Sequence, residues 1–501
     1  MNTTKRIILI LFLTLEISLS GGICQDSVTS VKLTFDQAWE LTSQNNHAIK
    51  QVDWLKHEKD LAVKAAKGLY MPKIGITGTY MLMADDISLN LTSVKDIITP
   101  LYQYGTFSGV PNPDPATNKI QPVLPDNLST QAVRTEGLQA IQNGDWDPVI
   151  QKKLFGTLDA TFQWPIYTGG KISAANKSAK IEQNEASELS RQKIGEIQSE
   201  LVERYYGLIL AKKALNVRIQ VLSGMEQHLS DVQKMHAQGF IANSDVLHAE
   251  VFKAQAFREL LKARRNVETI NQALLNTLSL PGDTTIEPIS QLFYLDTIES
   301  LESFKILART KNPMLLQVDQ KKLLSQQNYS VQKAQYFPTI AIEGMYDIIN
   351  KDLSPYIPEW TVGIGLNWTI FDGASRLRKV QSASMKTEEV EEIKLKAELD
   401  ITTVITRLYN ELNMYHEQLI ELESAKTYND EYLRDMEKSF HDEMSNVTEV
   451  VDANLALAQV RIERLQAMYN YDLTLARLLQ YAGIPENFDV YSQKISVHFE
   501  N

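Results

Sequence analysis

The sequence predicts an α+β membrane protein whose chain supplies four strands of membrane-crossing length and long coiled-coil helices, laid out as an internal duplication. Three observations carry this. First, Trp164, Ile166 and the Gly169-Gly170 turn return as Trp368, Ile370 and Gly373-Ala374, 204 positions later (368 − 164). The same offset joins Tyr205 to Tyr409, Val246 to Val450 and Leu280-Pro281 to Ile484-Pro485. Upstream, Tyr70-Met71-Pro72 answers Tyr336-Phe337-Pro338, and Asn46 answers Asn312, at an offset of 266 (336 − 70). The difference, 266 − 204 = 62, is an insertion in the first half between Pro72 and Trp164. A repeat this tight in register predicts two equivalent halves.

Second, four segments alternate apolar and polar residues. They are Ile74 to Leu82, Leu158 to Trp164, Ile340 to Ile348 and Trp360 to Trp368. A tilted membrane strand needs about 9–11 such residues, and aromatics such as Tyr70, Trp164, Tyr336, Trp360 and Trp368 sit at the ends, where interfacial belts form. Third, of 16 prolines none lies between Pro165 and Pro281 or between Pro358 and Pro485. Those stretches are rich in good helix formers. In the second, Ile401, Ile405, Leu408, Leu412, Tyr415, Leu419 and Leu422 step by four and three, a heptad seam.

In order along the chain, residues 1–24 read as a secretory signal: Lys5-Arg6, an apolar run from Ile7, then small residues. Cys24, the one cysteine, permits no disulfide within the chain, and its neighbours Gly21 and Ile23 fit the lipid-attachment pattern poorly. A first structural repeat follows over 25–290, with strands near 73–83 and 155–166, an external loop insertion at 84–154, and helices at 171–238 and 244–278. The second repeat covers 291–490, with strands near 339–348 and 360–370 and helices at 376–441 and 447–482; 491–501 is a tail. A helix from Lys171 to about Gln238 spans roughly 100 Å at 1.5 Å per residue, a rod rather than part of a compact core.

Four strands cannot close a membrane barrel, and lipid does not tolerate open edges, so several chains must join. Two chains make a filled eight-strand barrel; three make twelve strands and leave a channel, which the small and polar inner faces suit. Asp159, Glu343 and Asp347 then line the pore as a cation-friendly wall. The formal net charge of −12 argues against a nucleic-acid partner. The eight histidines lack a convergent carboxylate or cysteine set, which predicts no catalytic site, no metal site and no cofactor. Strand glycines such as Gly75 and Gly363 do not open a helix as a phosphate loop must.

With these residues in place, the chain resembles the TolC family of outer-membrane efflux and secretion ducts, from about Leu33 to Phe488. The most specific likeness is Gly239-Phe240-Ile241-Ala242-Asn243-Ser244-Asp245-Val246, similar to the family's helix-turn-helix tip, with Thr448-Glu449-Val450-Val451-Asp452-Ala453 as its second copy. The resemblance implies a homotrimer in the Gram-negative outer membrane: a twelve-stranded β-barrel continued by a twelve-helix α-barrel into the periplasm. It implies an exit duct of a tripartite efflux or type I secretion system, passive and not an enzyme. A periplasmic adaptor would dock on Gly239, Phe240, Ile241, Ser244, Asp245 and Val246, with Phe240 and Ile241 as exposed anchors. The partner pump, proton-driven or ATP-driven, would sit in the inner membrane. Glu449 and Asp452 correspond to the acidic constriction. Two departures stand out. The second tip has Glu443 where the first has Gly239, and the family's closed-state clamp finds Ser445 and Phe440 in place of its arginine and tyrosine. The rival expectation is a secreted soluble coiled-coil scaffold or binding protein.

Overall fold

The computed structural model describes residues 29–104, 131–442 and 444–494. The signal segment with Cys24, the middle of the insertion, Glu443 and the end of the tail lie outside the described residues. In chain order the elements are β1 (Thr29–Leu33), α1 (Phe35–Asn45), α2 (His47–Gly68), β2 (Lys73–Leu82), β3 (Ile87–Ser88), α3 (Thr92–Tyr104), α4 (Gln131–Asn143), β4 (Val149–Gln151), β5 (Leu154–Tyr167), α5 (Lys171–Ala237) and α6 (Asn243–Leu278). There follow β6 (Thr284–Pro288), α7 (Leu301–Lys311), α8 (Pro313–Ala334), β7 (Thr339–Lys351), β8 (Trp360–Asn367), α9 (Ser375–His441), α10 (Val447–Ala482) and α11 (Phe488–Gln493). The described residues divide into two compact units, and each takes segments of both repeats: 59–104 and 131–183 with 321–390, and 29–58 with 184–320, 391–442 and 444–494.

The first of these units holds an antiparallel sheet in the order β2-β5-β7-β8. Its register stacks like with like. One face carries the rows Ile74–Phe162–Gly344–Val362 and Ile76–Ala160–Tyr346–Trp360; the other carries Lys73–Gln163–Glu343–Gly363 and Gly75–Thr161–Met345–Thr361. Period-two alternation makes this segregation automatic once register is set. Where each helix hands over to a strand, an indole closes the corner: Trp164 Nε1 donates to Tyr70 O at 3.0 Å, and Trp368 Nε1 to Tyr336 O at 3.1 Å. The two corners are repeat mates.

Two expectations change here. The strand expected to reach residue 370 ends at Asn367, because β8 is an edge and the chain beyond it is bonded elsewhere. Buried Arg376 donates to Thr369 O, Ile370 O, Gln335 O and the Asp372 carboxylate, and its guanidinium lies over the Tyr336 ring. Its repeat mate is Ile172, which has no such donors, and β5 runs on to Tyr167 between two neighbours. The insertion, expected as loop, contains a ribbon and two helices. β3 pairs with β4, and α3 packs on α4 where Gly137 meets the Tyr102 ring so closely that a Cβ would lie 2.4 Å from it. The prolines mask a helical pattern, Val94, Ile97, Ile98 and Leu101, in which Pro100 sits inside α3. Gln151 ties this ribbon to the β7–β8 connection, donating to Asp352 O at 2.9 Å and accepting from Ser354 N at 2.7 Å.

The second unit is helical around an aromatic core. Phe35, Tyr205, Tyr206, Phe293 and Phe488 meet at 5.2 to 6.2 Å between ring centres, distances at which edge-to-face contact adds to simple burial. Parallel strands β1 and β6 cover it. The duplication reappears in detail: Asn46 Nδ2 donates to Thr277 O at 2.9 Å, and Asn312 Nδ2 to Tyr481 O at 2.7 Å. The mates Ser279 and Gly483 both end a helix with positive φ. Only at the second does the backbone of Lys311 pass within 2.4 Å of where a Cβ would stand, so glycine is required there.

Candidate functional site

The strand face that carries Asp159, Glu343 and Asp347 is polar around them apart from Met345. Asp159 and Asp347 are direct cross-strand partners, with Thr77 beyond Asp159 in the same row. Opposed like charges destabilise a strand pair unless local donors serve them. Here Thr157 Oγ1 donates to Asp159 Oδ2 at 2.8 Å, and Asn350 Nδ2 to Asp347 Oδ2 at 2.8 Å. Asp159 is nevertheless buried within the single chain. Glu343 stands apart, accepting from Gln163 Nε2 at 3.0 Å. Gly365 makes room for it: a Cβ there would lie 3.2 Å from the Glu343 carboxylate. The opposite face is apolar and open, with Ile74 78% and Ile364 76% exposed.

The second site is the pair of helical tips. After α5, Gly239 adopts φ +84°, and the N–H of Phe240 bonds back to Met235 O at 3.0 Å, a left-handed helix cap. Helix α6 then starts with Asp245 Oδ2 accepting from Ala242 N at 3.1 Å. Helix α10 starts the same way: Asn446 N donates to Glu449 Oε2 at 3.1 Å while Asn446 Oδ1 accepts from Glu449 N at 3.0 Å. Asp245 and Glu449 are repeat mates, so each tip carries a carboxylate at the third helical position to satisfy otherwise orphaned N–H groups. This structural role escapes a reading centred on the gate, although Asn446-x-x-Glu449 is its sequence signature. Asp452, one turn on, is exposed, and Ser244 is exposed at the first tip.

The two apolar anchors expected at the first tip divide. Phe240 projects, 58% exposed, whereas Ile241 turns inward with Val246 onto a cluster of Leu229, Val232, Ala249, Phe440, Val447 and Val450. Ile241 is therefore corrected from exposed anchor to tip packing, as expected of a large aliphatic side chain beside an apolar cluster. Phe440, where the resemblance led one to look for a tyrosine, is a buried member of that cluster, and Ser445 Oγ donates to Met436 O at 3.3 Å. Within one chain the tips are thus held by apolar packing.

Among the described residues no helix is long and apolar enough to cross a membrane, and no group of three or more histidine, cysteine, aspartate or glutamate side chains is arranged to hold a metal ion. The described residues thus combine a four-stranded antiparallel sheet that has one apolar face with two helices of 67 residues each. Solved structures share this fold. VceC of Vibrio cholerae superposes with a TM-score of 0.66 at 13% identity, covering 90% of this chain and 96% of VceC. The CmeC outer membrane channel of Campylobacter jejuni gives 0.67 at 10% identity, covering 97% and 99%. A Pseudomonas aeruginosa membrane protein gives 0.68 at 12% identity, covering 90% of each chain. A family model described as outer membrane efflux protein matches residues 156–279 and 307–484. The chain belongs to the outer membrane efflux protein family, which places it in the outer membrane. It is also 23% identical over 258 residues to Protein CyaE of Bordetella pertussis, a match spanning 50% of this chain and 54% of CyaE, about half of that relative.

Proposed function

We propose that the protein is the outer-membrane exit duct of a tripartite efflux or secretion system, a passive conduit that performs no chemistry. One observation carries the reading beyond family membership. The sheet β2-β5-β7-β8 has an apolar face open to its surroundings, while its edge strands β2 and β8 each leave one side unpaired among the described residues. Lipid accepts the first and forbids the second, so the sheet is a sector of a larger barrel. Three copies give twelve strands and an open lumen, lined by Asp159, Glu343 and Asp347, and the repeats at 25–290 and 291–490 give twelve long helices. The tip around Gly239, Phe240, Ser244 and Asp245 is the docking point for a periplasmic adaptor, with Ile241 and Val246 shaping it from beneath. Glu449 and Asp452 ring the inner mouth. Transport energy comes from an inner-membrane pump, proton-driven or ATP-driven.

The test is extraction and reconstitution. The protein should need detergent, run as three chains, and conduct cations in planar bilayers. A monomer in the soluble periplasmic fraction would replace this reading with the soluble scaffold.

A further inference from the structure

The hairpins α5–α6 and α9–α10 meet near their tips through the apolar cluster and, beside it, one buried histidine. His228 of α5 places Nε2 at 3.2 Å from the carbonyl oxygen of Val447, in the first turn of α10. Its ring stands edge-on to Phe440 of α9 at 4.9 Å. One side chain of the first hairpin therefore touches both helices of the second. Since a carbonyl oxygen only accepts, the neutral ring must carry its proton on Nε2 and donate it to Val447. Phe440 and Val447, the two residues the ring touches, belong to the apolar cluster that also holds Leu229, Val232, Ala249 and Val450. Burial holds its pKa below the ordinary histidine value, partly opposed by the bond to Val447 and by Asp231.

Beside the ring lies a groove of about 660 Å³ with a different character. From α5 it is lined by Asp231, and from α9 by Arg434, Glu437, Lys438 and His441; α10 contributes Val450, Val451 and Asn454, none of which titrates. Helix α6 brings Ala249 to the apolar cluster, and its His248 is engaged with Thr448 at 3.5 Å. Glu449, at the start of α10, has its carboxylate on the Asn446 cap. His228 itself lines this groove, so the ring borders both the apolar cluster and an open polar space that holds the carboxylates of Asp231 and Glu437 together with the cations Arg434 and Lys438. A charged imidazolium is disfavoured in the first and solvated in the second.

We propose that His228 is an acid-sensitive latch between the two hairpins: neutral, it binds Val447 and Phe440; protonated, it leaves them for the groove and loosens the tips from each other. The consequence for transport, an inner mouth that relaxes in acid, rests on the duct reading; the latch itself does not. The sign follows from linkage. The latched state binds its proton less readily than a free histidine, so the contact is at full strength above about pH 6.5 and weakens as pH falls below it.

Paired spin labels at Gln233→Cys on α5 and Asp435→Cys on α9, both exposed, read the separation of the hairpins in the full detergent-extracted protein carrying Cys24→Ser. Between about pH 7.5 and about pH 5, a range that brackets histidine titration, the native latch should show a reversible shift to longer distances. His228→Gln keeps a side-chain donor without taking a proton, and should hold the neutral-pH distance throughout. If that variant does not fold, His228→Phe keeps the ring packing and serves the same comparison. An unchanged distance with His228 in place, or an equal shift in the variants, overturns the latch and assigns any response to other groups such as His441. Because the distance is read without transport, a protein that shifts with acid yet conducts nothing would sink the duct reading and leave the latch standing.

Discussion

Replacing Ile364 by arginine tests the membrane orientation of the sheet most directly. Ile364 lies midway along the segment between Trp360 and Trp368, in register with Ile342 and, through it, with Trp164. It is on the apolar face, 76% exposed in the single chain. If the two tryptophans mark the interfaces, Ile364 stands near the bilayer midplane. There an arginine costs about 2–4 kcal/mol in a transmembrane barrel. At 1.4 kcal/mol per tenfold, that is about a 30- to 700-fold loss in the folding equilibrium per chain, before threefold repetition adds to it. Thr361→Arg is the control. Thr361 pairs with Met345 on the polar face, where a charged side chain reaches water. The assay is the amount of trimer in the outer-membrane fraction, with urea unfolding of protein refolded into vesicles as the quantitative arm. Ile364→Arg should nearly abolish both and Thr361→Arg should leave them close to native. Native assembly of Ile364→Arg alongside failure of Thr361→Arg would mean the faces are reversed.

Phe240→Asp should abolish transport while trimer yield and membrane insertion stay native, measured by drug susceptibility or cargo release against fractionation; native transport would move docking away from the first tip. Glu449→Gln combined with Asp452→Asn should weaken cation selectivity and block by multivalent cations in planar bilayers, and because glutamine also serves a capping box, thermal stability should change little. Asp472 is wholly buried, takes only a 3.4 Å bond from Phe293 N, and is pushed well above the usual carboxylate range by burial. A raised folded-state pKa means stability is lost as pH rises above the unfolded value of about 4, so Asp472→Asn should raise the melting temperature at pH 8 more than at pH 5. Equal shifts at both would show that the carboxyl does not titrate differently on folding.

Much of this architecture is legible because it depends on periodicity. The faces of β2, β5, β7 and β8 follow from alternation, and the seam from Ile401 to Leu422 lies in the hydrophobic core as its spacing implies. Pairing Asn46 with Asn312 by offset alone locates two side chains that bond equivalent carbonyls. What is not legible depends on single contacts between distant segments. Nothing near Arg376 announces that it will gather the carbonyls of Thr369 and Ile370 and end β8 early. Nothing in His228 separates it from the solvated histidines until Phe440 and Val447, more than two hundred residues away, are packed against it. The insertion misleads for another reason: its prolines fall where α3 tolerates one, so composition reads as loop although helical spacing is present.

The duplication also limits what symmetry the duct can have. The structural devices recur in both halves: indole corners, asparagine clamps and tip carboxylates. The polar wall does not. Asp159 has Gly363 as its repeat mate, Glu343 has Thr77, and Asp347 has Met81. Each of these carboxylates therefore occurs once per chain, and the proposed trimer would present three of each. Asp159 and Asp347 share one row and Glu343 stands with Gln163 in another, so in the proposed barrel the charge would be gathered into two rings of different density. Cations crossing it would meet the denser ring at Asp159 and Asp347. Neutralising that pair should therefore reduce cation selectivity more than neutralising Glu343, and an equal effect of both would show that the rings do not act separately.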